Sequence, residues 1–230
     1  MSNIQLVLLA GGYGKRMSPL TLDYPKSLLK INGSNTVLDY QLKQFSQQNI
    51  ENIVILTGYK DSMIKDYLQQ KRWVTNLKII PSMNGTGGSL KAVLELLDED
   101  FIYQYGDVHI NINYDLLFLY HETNSPYKMT MTVYPRRNLQ HDPNNVDYED
   151  DHVTYYGKGG CTHKAIDAGV MVINKKVIEN VKNKVWDLSD IIPELVKEKQ
   201  VKAYVSKSEP LEVGSFEGLN KFKEKIRGEI

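Results

Sequence analysis

A strand-like apolar run at the start of the chain passes directly into a turn that is rich in glycine and positive charge. The run is Ile4 to Leu9, and the turn reads Ala10-Gly11-Gly12-Tyr13-Gly14-Lys15-Arg16-Met17. Glycine lets the backbone approach a ligand closely, and N–H groups and cations supply the field that an anion needs. A second cation follows in Pro25-Lys26-Ser27. This segment therefore predicts a place to hold a polyphosphate.

Apolar runs of strand length alternate with amphipathic segments through the first half of the chain. Such alternation is typical of βαβ units, in which a parallel sheet carries helices on its faces. The helix after the first strand is predicted from the helical spacing of its apolar residues, with Asn35 or Thr36 as its cap. The predicted segments are Ile4–Leu9, Val37–Gln48, Asn52–Leu56, Ser62–Gln70 and Leu77–Ile80.

A second glycine-rich turn, Gly85 to Ser89, precedes a helical pattern that ends at Asp98-Glu99-Asp100. The strand predicted next, Phe101 to Tyr105, stops at Gly106-Asp107. In open α/β sheets ligands collect beyond the carboxyl ends of the strands. Both glycine-rich turns and Asp107 are predicted to lie at such ends.

The second half of the chain predicts further strands and helices around a polar stretch. That stretch, Pro135 to Asp151, is rich in Asn and Asp and suits a surface loop. A helix over Ile191–Lys197 would be opened by Asp187, Ser189 or Asp190. The other predicted elements are strands at Thr130–Tyr134, Val153–Tyr156, Ala168–Ile173 and Val201–Val205 and a helix at Glu217–Ile226.

Composition excludes several classes of function. The 28 Lys and Arg residues balance the 28 Asp and Glu residues, so no basic field draws the chain to nucleic acid. No apolar stretch reaches the roughly 20 residues that span a bilayer, and no signal peptide is apparent. Cys161 is the single cysteine, which excludes an internal disulfide. We expect a cytoplasmic protein without a nucleic acid or membrane partner.

Generic phosphate-binding motifs do not fit the first turn. Gly14-Lys15 is followed by Arg16 where the common NTPase loop has Ser or Thr, and Met17 stands where the dinucleotide fingerprint has its third glycine. On these templates alone, a phosphate cradle and an ordinary turn both stay open.

The longer string resembles the signature of the sugar-phosphate nucleotidyltransferases. In that family L-A-G-G-x-G-[TS]-R-L-x-P-L-T is followed by P-K-[PS]-L; here the chain reads Leu9 to Thr21 and then Pro25-Lys26-Ser27-Leu28. Four later segments resemble the family's L-G-T-A-G-A-L, G-D, N-A-G-I and D-I-G-T, in the expected order: Asn84–Leu90, Gly106-Asp107, Asp167–Val170 and Glu212–Ser215. The resemblance implies a Rossmann-like mixed, mostly parallel sheet flanked by helices, with a small acceptor-binding excursion.

The resemblance also implies which residues meet the nucleotide. The backbone before Gly12 would approach base and sugar, and N–H groups up to Gly14 would cradle phosphates. Arg16 would bind the outer phosphates and Lys26 the α-phosphate, so Arg16, Lys26 and Asp107 form the expected catalytic set. For each cation a solvated surface charge stays open. The nucleotide-binding residues implied are Leu9, Ala10, Gly11, Gly12, Gly14, Lys15, Arg16, Pro81, Gly85, Thr86, Gly87, Gly88 and Asp107.

A magnesium site is implied at two acidic positions. Asp107 and Glu212 stand where the family has its metal ligands, although Glu212 replaces the usual Asp. Mg²⁺ prefers hard oxygen ligands and keeps several waters, so two carboxylates and phosphate oxygens suit it. A turn or helix-cap role remains open for both residues.

The acceptor site departs from the family pattern. Lys158 stands in Gly157-Lys158-Gly159 where the family has E-K-P, and Asp167 replaces the family's Asn. The resemblance implies that Lys26, Lys158, Asp167 and Gly169 bind the acceptor. Lys164 is a rival to Lys158 for the acceptor phosphate, and either lysine can instead be a solvated loop residue.

Residues 1–230 are therefore expected to form one nucleotidyltransferase domain. Residues 1–115 would mainly bind the nucleotide, 116–215 mainly the acceptor, and 216–230 would form a C-terminal helix. The chain resembles short family members, which include heptose-1-phosphate guanylyltransferases, muramic-acid-type uridylyltransferases and phosphocholine cytidylyltransferases. A homo-oligomer is left open.

The implied reaction joins a nucleoside monophosphate from an NTP to a sugar 1-phosphate with release of pyrophosphate. Residues near Ile80-Pro81-Ser82-Met83 would read the base, with CTP or GTP favoured. A phosphocholine-like acceptor is the alternative within the class. Alternatives from other classes are a metal-dependent glycosyltransferase and a non-catalytic nucleotide-sensing module.

Overall fold

A computed structural model describes residues 4–71, 76–82, 84–136, 145–157 and 163–227. The chain divides into two compact units, which interleave along the sequence. The first unit comprises Met1–Met83, Gln104–Ile110 and Pro210–Ile230, and the second comprises Asn84–Tyr103 and Asn111–Glu209.

Strands and helices alternate from the start of the chain. The strands are β1 (Gln5–Ala10), β2 (Lys30–Asn32), β3 (Asn35–Thr36), β4 (Asn52–Thr57), β5 (Asn76–Pro81), β6 (Asp100–Tyr105), β7 (Val108–His109), β8 (Met129–Pro135), β9 (Val146–Glu149), β10 (His152–Tyr156), β11 (Ala165–Asn174), β12 (Val201–Val205) and β13 (Leu211–Glu212). The α-helices are α1 (Leu20–Asp23), α2 (Val37–Gln47), α3 (Asp61–Lys71), α4 (Gly85–Lys91), α5 (Tyr114–Thr123), α6 (Lys176–Glu179), α7 (Ile192–Lys197) and α8 (Phe216–Arg227). Short 3-10 turns cover Lys15–Met17, Lys26–Leu28, Leu94–Leu96 and Leu188–Asp190.

The first unit is built on a parallel sheet, as the alternating pattern predicts. β1 pairs with β4 from Gln5 opposite Asn52 to Ala10 opposite Thr57, and β4 pairs in parallel with β5. Both central strands are buried almost along their whole length, which is typical of parallel strands covered on both faces. The carboxyl ends of β1, β4 and β5 therefore lie side by side.

Helix α2 confirms the prediction made from its spacing and cap. Thr36 accepts a hydrogen bond from the Asp39 N–H, and the Asp39 carboxylate accepts one from the Thr36 N–H at 2.7 Å. This reciprocal pair is a capping box, which satisfies two N–H groups at the helix start. Val37, Leu38, Leu42 and Phe45 are all fully buried, so the predicted face is the one that packs on the core.

The second unit contains a mixed set of strands. β8 pairs antiparallel with β11 and parallel with β12, while β10 pairs antiparallel with β12 and with β9. The prediction of one loop over Pro135–Asp151 is wrong for Val146–Glu149, which form β9. Val146 is buried and pairs with both Tyr156 and Ala165. An isolated valine in a mostly polar stretch does not reveal that pairing.

The sequence prediction for the second glycine-rich segment is wrong. Gly85 to Gly88 form the first turns of α4 itself instead of a turn before it, and α4 ends at Lys91. Packing explains this, because a Cβ on Gly87 would lie 2.2 Å from the ring of Trp186 and one on Gly88 2.3 Å from the Lys184 carbonyl oxygen. The missing side chains let the helix lie directly on the segment before Leu188, which outweighs the poor helix propensity of glycine.

Among the residues that the structure describes, no helix combines the length and the hydrophobicity needed to cross a membrane.

Gly87→Ala is expected to destabilise the protein by about 1–3 kcal/mol, because the new methyl group must displace the buried Trp186 ring. Urea unfolding measures this change. Gly12→Ala is the matched control, because a Cβ there meets nothing within 4 Å; it should change the free energy of unfolding by less than about 0.5 kcal/mol. Equal effects of the two substitutions would contradict the packing described for α4.

Candidate functional site

The glycine-rich loop begins where β1 ends and lies against the backbones of two other segments of the first unit. The Gly106 N–H donates to the Leu9 carbonyl at 2.8 Å, and a Cβ on Gly106 would lie 2.4 Å from that oxygen. Gly11 faces Gly58, where a Cβ would lie 2.6 Å from the Gly11 carbonyl oxygen. Side chains cannot fit at these contacts, so glycine allows the loop to start between the ends of neighbouring strands.

The loop itself closes around the Gly14 carbonyl. Gly14 is left-handed, with φ 64°, and its carbonyl accepts hydrogen bonds from the Met17 N–H and the Thr21 hydroxyl, both at 2.8 Å. Met17 is fully buried in an apolar cluster with members from α2, β13 and α8. Lys15 and Arg16 remain exposed, and Arg16 forms no ion pair within the described part of the chain. The loop is thus anchored by Met17 while its cations face solvent.

Lys26 and Asp107 form an ion pair beside this loop. The Lys26 Nζ lies 2.8 Å from Asp107 Oδ2, with side chains that are 15% and 31% exposed. The stem of Lys26 packs against Gly14, where a Cβ would lie 2.9 Å from Lys26 Cγ. The two predicted catalytic residues therefore meet, although they are 81 positions apart in the sequence.

Buried amides fix the turn that carries Asp107. The Gln41 Nε2 group donates to the Tyr105 carbonyl at 3.2 Å and to the Val108 carbonyl at 2.6 Å. The Gln104 Nε2 group also donates to the Val108 carbonyl, at 3.0 Å. Because α2 supplies Gln41, the capped helix holds the end of β6 in place.

Glu212 lies on the strand that pairs with the segment after Asp107. In the antiparallel pair of β7 and β13, Glu212 is opposite Val108, and the Val213 N–H donates to the Asp107 carbonyl at 2.9 Å. Of the two predicted metal ligands, Asp107 directly precedes β7, while Glu212 lies in β13 and is exposed. Within the described ranges no cluster of three or more His, Cys, Asp or Glu side chains could hold a metal ion. Two oxygen donors suit Mg²⁺ when phosphate oxygens and water complete its shell, so these residues fit the predicted ion.

The segment predicted to read the base covers the end of β5 and the residues after it. The Ser82 N–H donates to the Thr57 carbonyl at 2.7 Å, and the Ser82 carbonyl lies 3.4 Å from where a Gly11 Cβ would be. Ser82 Oγ is buried and has no hydrogen-bond partner among the described residues. Pro81 is exposed, and Met83 lies outside the described residues. Ser82 Oγ is thus a buried polar group that the described residues leave without a hydrogen bond.

The remaining residues predicted to bind the nucleotide belong to the second unit. Thr86 donates its N–H to Asp187 Oδ1 at 2.8 Å and accepts a hydrogen bond from the Leu188 N–H at 2.6 Å. With Gly87 and Gly88 packed on the segment of Trp186, α4 is held firmly within this unit. A role of Gly85 to Gly88 in nucleotide binding stays a prediction.

Asp167 of the second unit is an unusual carboxylate. Burial raises the pKa of its carboxyl group to about 6, although hydrogen bonds from the Gly169 N–H and the Tyr156 hydroxyl act in the opposite direction. The Gly169 N–H lies 2.8 Å from Asp167 Oδ1, and the Asp167 N–H donates to the Asn145 side chain at 3.0 Å. Burial also raises the pKa of Tyr156. The residue keeps part of its surface exposed, but its carboxyl group is enclosed.

An irregularity in β11 accounts for this arrangement. The pairing with β8 shifts register between Asp167 and Met171, and Gly169 takes a left-handed φ of 77°. Bulges of this kind redirect side chains near functional sites. Tyr156 and Asn145 have no signal in the sequence, because only strand register brings them to Asp167.

The rival lysines of the acceptor site are only partly described. Lys158 lies outside the described residues. Lys164 is exposed, and its N–H donates to Asp147 Oδ1 at 2.8 Å. The other oxygen of Asp147 lies 2.7 Å from His163 Nδ1, and the His163 ring stacks on Tyr155 at 4.1 Å between centroids. The choice between Lys158 and Lys164 stays a prediction.

Comparison with known proteins finds relatives that share part of this sequence. A probable glucose-1-phosphate cytidylyltransferase from Bacillus subtilis is 31% identical over 144 residues, which cover 52% of this chain and 56% of the relative. The match thus spans little more than half of that relative's length. A D-glycero-α-D-manno-heptose 1-phosphate guanylyltransferase from Aneurinibacillus thermoaerophilus is 24% identical over 181 residues, which cover 76% of this chain and 77% of the relative.

Among solved structures, HddC from Yersinia pseudotuberculosis superimposes with a TM-score of 0.83 at 25% identity and covers 97% of this chain and 99% of its own. A match of this extent confirms the predicted Rossmann-like α/β fold. Residues 5–141 match the profile of the family described as nucleotidyl transferase, and they contain Arg16, Lys26 and Asp107. The chain therefore belongs to the nucleotidyl transferase family.

Proposed function

We propose that the protein transfers a nucleoside monophosphate from an NTP to a sugar 1-phosphate and releases pyrophosphate. An oxygen of the acceptor phosphate attacks the α-phosphorus, a new P–O bond forms, and the bond from that phosphorus to the bridging oxygen of the β-phosphate breaks. The bridging oxygen leaves with pyrophosphate. The reaction would take place in the cytoplasm.

The ion pair of Lys26 and Asp107 is the observation that best supports this proposal. A pair with this exposure contributes only about 1 kcal/mol to folding, so stability is a weak reason for placing it at a strand end. A cation and a carboxylate that can bind a metal ion, both beside a glycine-rich loop, suit a ligand that carries phosphates. The pair neutralises the Asp107 carboxylate in the chain without substrate, and a bound phosphate would offer Lys26 a second partner.

Catalysis would consist mainly of alignment and charge neutralisation. The N–H groups from Gly12 to Gly14 would hold the phosphates, and the exposed Arg16 guanidinium suits two oxygens of the outer phosphates. Lys26 would neutralise charge at the α-phosphate. The acceptor phosphate is already ionised near neutral pH, so no side chain needs to remove a proton.

A Mg²⁺ ion would be held by Asp107 and Glu212 together with phosphate oxygens and water. When bound, it would supply positive charge that stabilises the negative charge on the phosphates during transfer. Asp107 would then contact both the metal and Lys26.

For the acceptor we propose the second-unit residues Asp167 and Gly169, with Lys158 or Lys164 at its phosphate. Asp167 keeps part of its surface exposed, and this part would contact the acceptor. This assignment follows the expectation that residues 1–115 mainly bind the nucleotide and residues 116–215 mainly bind the acceptor.

The relatives narrow the first substrates to test. Two of them are named for glucose 1-phosphate with cytidylyl transfer and heptose 1-phosphate with guanylyl transfer. CTP and GTP with hexose and heptose 1-phosphates are therefore the leading pairs. The Ser82 backbone, which lies beside Gly11, would be near the base.

A screen of pyrophosphate release tests the activity directly. CTP, GTP, UTP and dTTP are each combined with Mg²⁺ and with hexose, heptose and aminosugar 1-phosphates or phosphocholine. We expect at least one sugar 1-phosphate to give pyrophosphate in equal amount to the nucleotide sugar. Turnover with phosphocholine alone would move the acceptor outside sugars, transfer of a sugar from a nucleotide sugar would favour a glycosyltransferase, and inactivity with all pairs would favour a nucleotide-sensing module.

Lys26→Ala and Asp107→Ala are each expected to lower kcat/KM at least about 100-fold. The first removes positive charge at the transferring phosphate, and the second removes a ligand of the Mg²⁺ ion that would supply such charge. Steady-state kinetics with the active pair measures the loss. Lys43→Ala, at an exposed position of α2, is the matched control and should keep the activity of the unmodified protein. If either site variant also keeps that activity, the assigned mechanism is wrong.

Asp167→Asn is expected to stabilise the protein at pH 7.5 and to lose this advantage near pH 4. The folded-state pKa of about 6 lies above the ordinary 3.8, so the folded chain binds more protons and its free energy of unfolding falls as pH rises between these values. The gain at pH 7.5 is about 1–3 kcal/mol. Urea unfolding at pH 4, 5, 6 and 7.5 measures it, with the exposed Glu149→Gln as control. A difference that does not change with pH would contradict the enclosed carboxylate.

A further inference from the structure

The turn between β4 and α3 has no role in the reaction as proposed, yet it contacts the glycine-rich loop at two points. This turn is Gly58-Tyr59-Lys60. Both contacts lie within the first unit. They fall at Gly11 and Leu22, which flank the segment that carries Lys15 and Arg16.

The first contact joins the turn to the beginning of the loop. The Tyr59 N–H donates to the Gly11 carbonyl at 3.2 Å, next to the close backbone approach of Gly58. The Tyr59 ring also lies against Tyr13, with 5.4 Å between ring centroids. The backbone and the side chain of Tyr59 thus both contact the loop near its start.

The second contact joins the turn to α1, the short helix that follows the loop. The Tyr59 hydroxyl donates to the Leu22 carbonyl at 3.2 Å, and the Lys60 ammonium group donates to the same oxygen. The Leu22 side chain is 60% exposed, so packing does not fix this residue. The side chains of Tyr59 and Lys60 therefore fix the position of the Leu22 carbonyl.

The backbone of Lys60 has a conformation that lysine rarely adopts. Lys60 has φ 56°, in the left-handed region that glycine and asparagine adopt more easily. Glycine would suit the backbone but could not reach Leu22. The hydrogen bond from the ammonium group is a gain that only a long side chain with a donor provides.

We infer that Tyr59 and Lys60 are positioning residues that hold the glycine-rich loop in its phosphate-binding shape. The inference rests on the proposed function, since it assumes that this loop binds the phosphates of the nucleotide. A loop fixed before binding loses less conformational entropy when the ligand arrives. The side chains of Tyr59 and Lys60 act through Gly11 and Leu22 and need not touch the nucleotide.

Kinetics of single variants test this role. Lys60→Gln should raise the KM for the NTP about tenfold, because it replaces a charge-assisted hydrogen bond to Leu22 with at best a neutral one from a shorter side chain. Tyr59→Phe should raise it about threefold, because it removes a neutral hydrogen bond to Leu22. The KM for the acceptor should change less than twofold. Lys60→Arg keeps a charged donor and should restore the KM for the NTP, while Lys43→Gln on α2 should have no effect.

Lys60→Gly separates positioning from stability. Glycine relieves the left-handed backbone, so Tm should be equal to or higher than that of the unmodified protein while the KM for the NTP still rises. A KM for the NTP within twofold of the unmodified value in both Lys60→Gln and Lys60→Gly would overturn the inference. Equal increases of the KM values for the NTP and for the acceptor would also overturn it.

Calorimetric titration of the full chain with inorganic pyrophosphate and Mg²⁺ keeps this test independent of turnover. If no substrate pair reacts, the proposed enzymatic function fails. Weaker binding of pyrophosphate to Lys60→Gln than to Lys43→Gln would still support the positioning role of Lys60. Equal binding by these two variants, or no binding by the unmodified protein, would overturn it.

Discussion

The close backbone contacts at the end of β1 are the constraint on which the arrangement of the first unit depends. Gly106 approaches the Leu9 carbonyl and Gly58 approaches Gly11 at distances that leave no room for a Cβ atom. These contacts bring the ends of β1, β4 and β6 together, so the segments that follow each strand share one small region. The loop with Arg16, the turn with Tyr59 and the turn with Asp107 all start from there.

Charge is arranged on this backbone frame in a way that avoids a large folding cost. Lys26 and Asp107 are partly exposed and satisfy each other, while Lys15 and Arg16 remain in water until a ligand arrives. A cation buried without a partner would cost several kcal/mol. The frame therefore holds positive charge beside the glycine-rich loop, and the burial that orients the loop is provided by the apolar Met17.

Sequence patterns predict the parts of this structure that depend on local signals. The apolar run of β1, the capped helix α2 and the acidic residue after β6 are each visible within a short window, and the structure has all of them. Contacts that depend on register are not visible in that way. The position of Tyr59 against Gly11 depends on the pairing of β1 with β4, and that of Tyr156 against Asp167 depends on strand pairing and the irregularity in β11.

Helix α4 is a second feature that depends on a distant contact and that the local sequence does not predict. Its first four residues, Gly85-Thr86-Gly87-Gly88, have low helix propensity, so the sequence favours a turn there. Contact with Trp186 decides the outcome, because a helix without side chains on one face can lie directly against the indole ring. That partner is about 100 residues away in the sequence, as the hydrogen bond between Thr86 and Asp187 also shows.

The two substrates of the proposed reaction would meet different kinds of protein surface. The glycine-rich loop starts at close backbone contacts, where a Cβ on Gly58 would lie 2.6 Å and one on Gly106 2.4 Å from a carbonyl oxygen. The surroundings of Asp167 are instead built from side chains, including Tyr156 and Asn145, which can be exchanged without changing the path of the backbone. A scaffold of this kind can keep nucleotidyl transfer while its acceptor changes, and relatives named for glucose and heptose phosphates show that both substrate types occur among similar chains. On this view the aspartate at position 167 helps to set which acceptor is accepted, and the glycines determine that a nucleotide is bound at all.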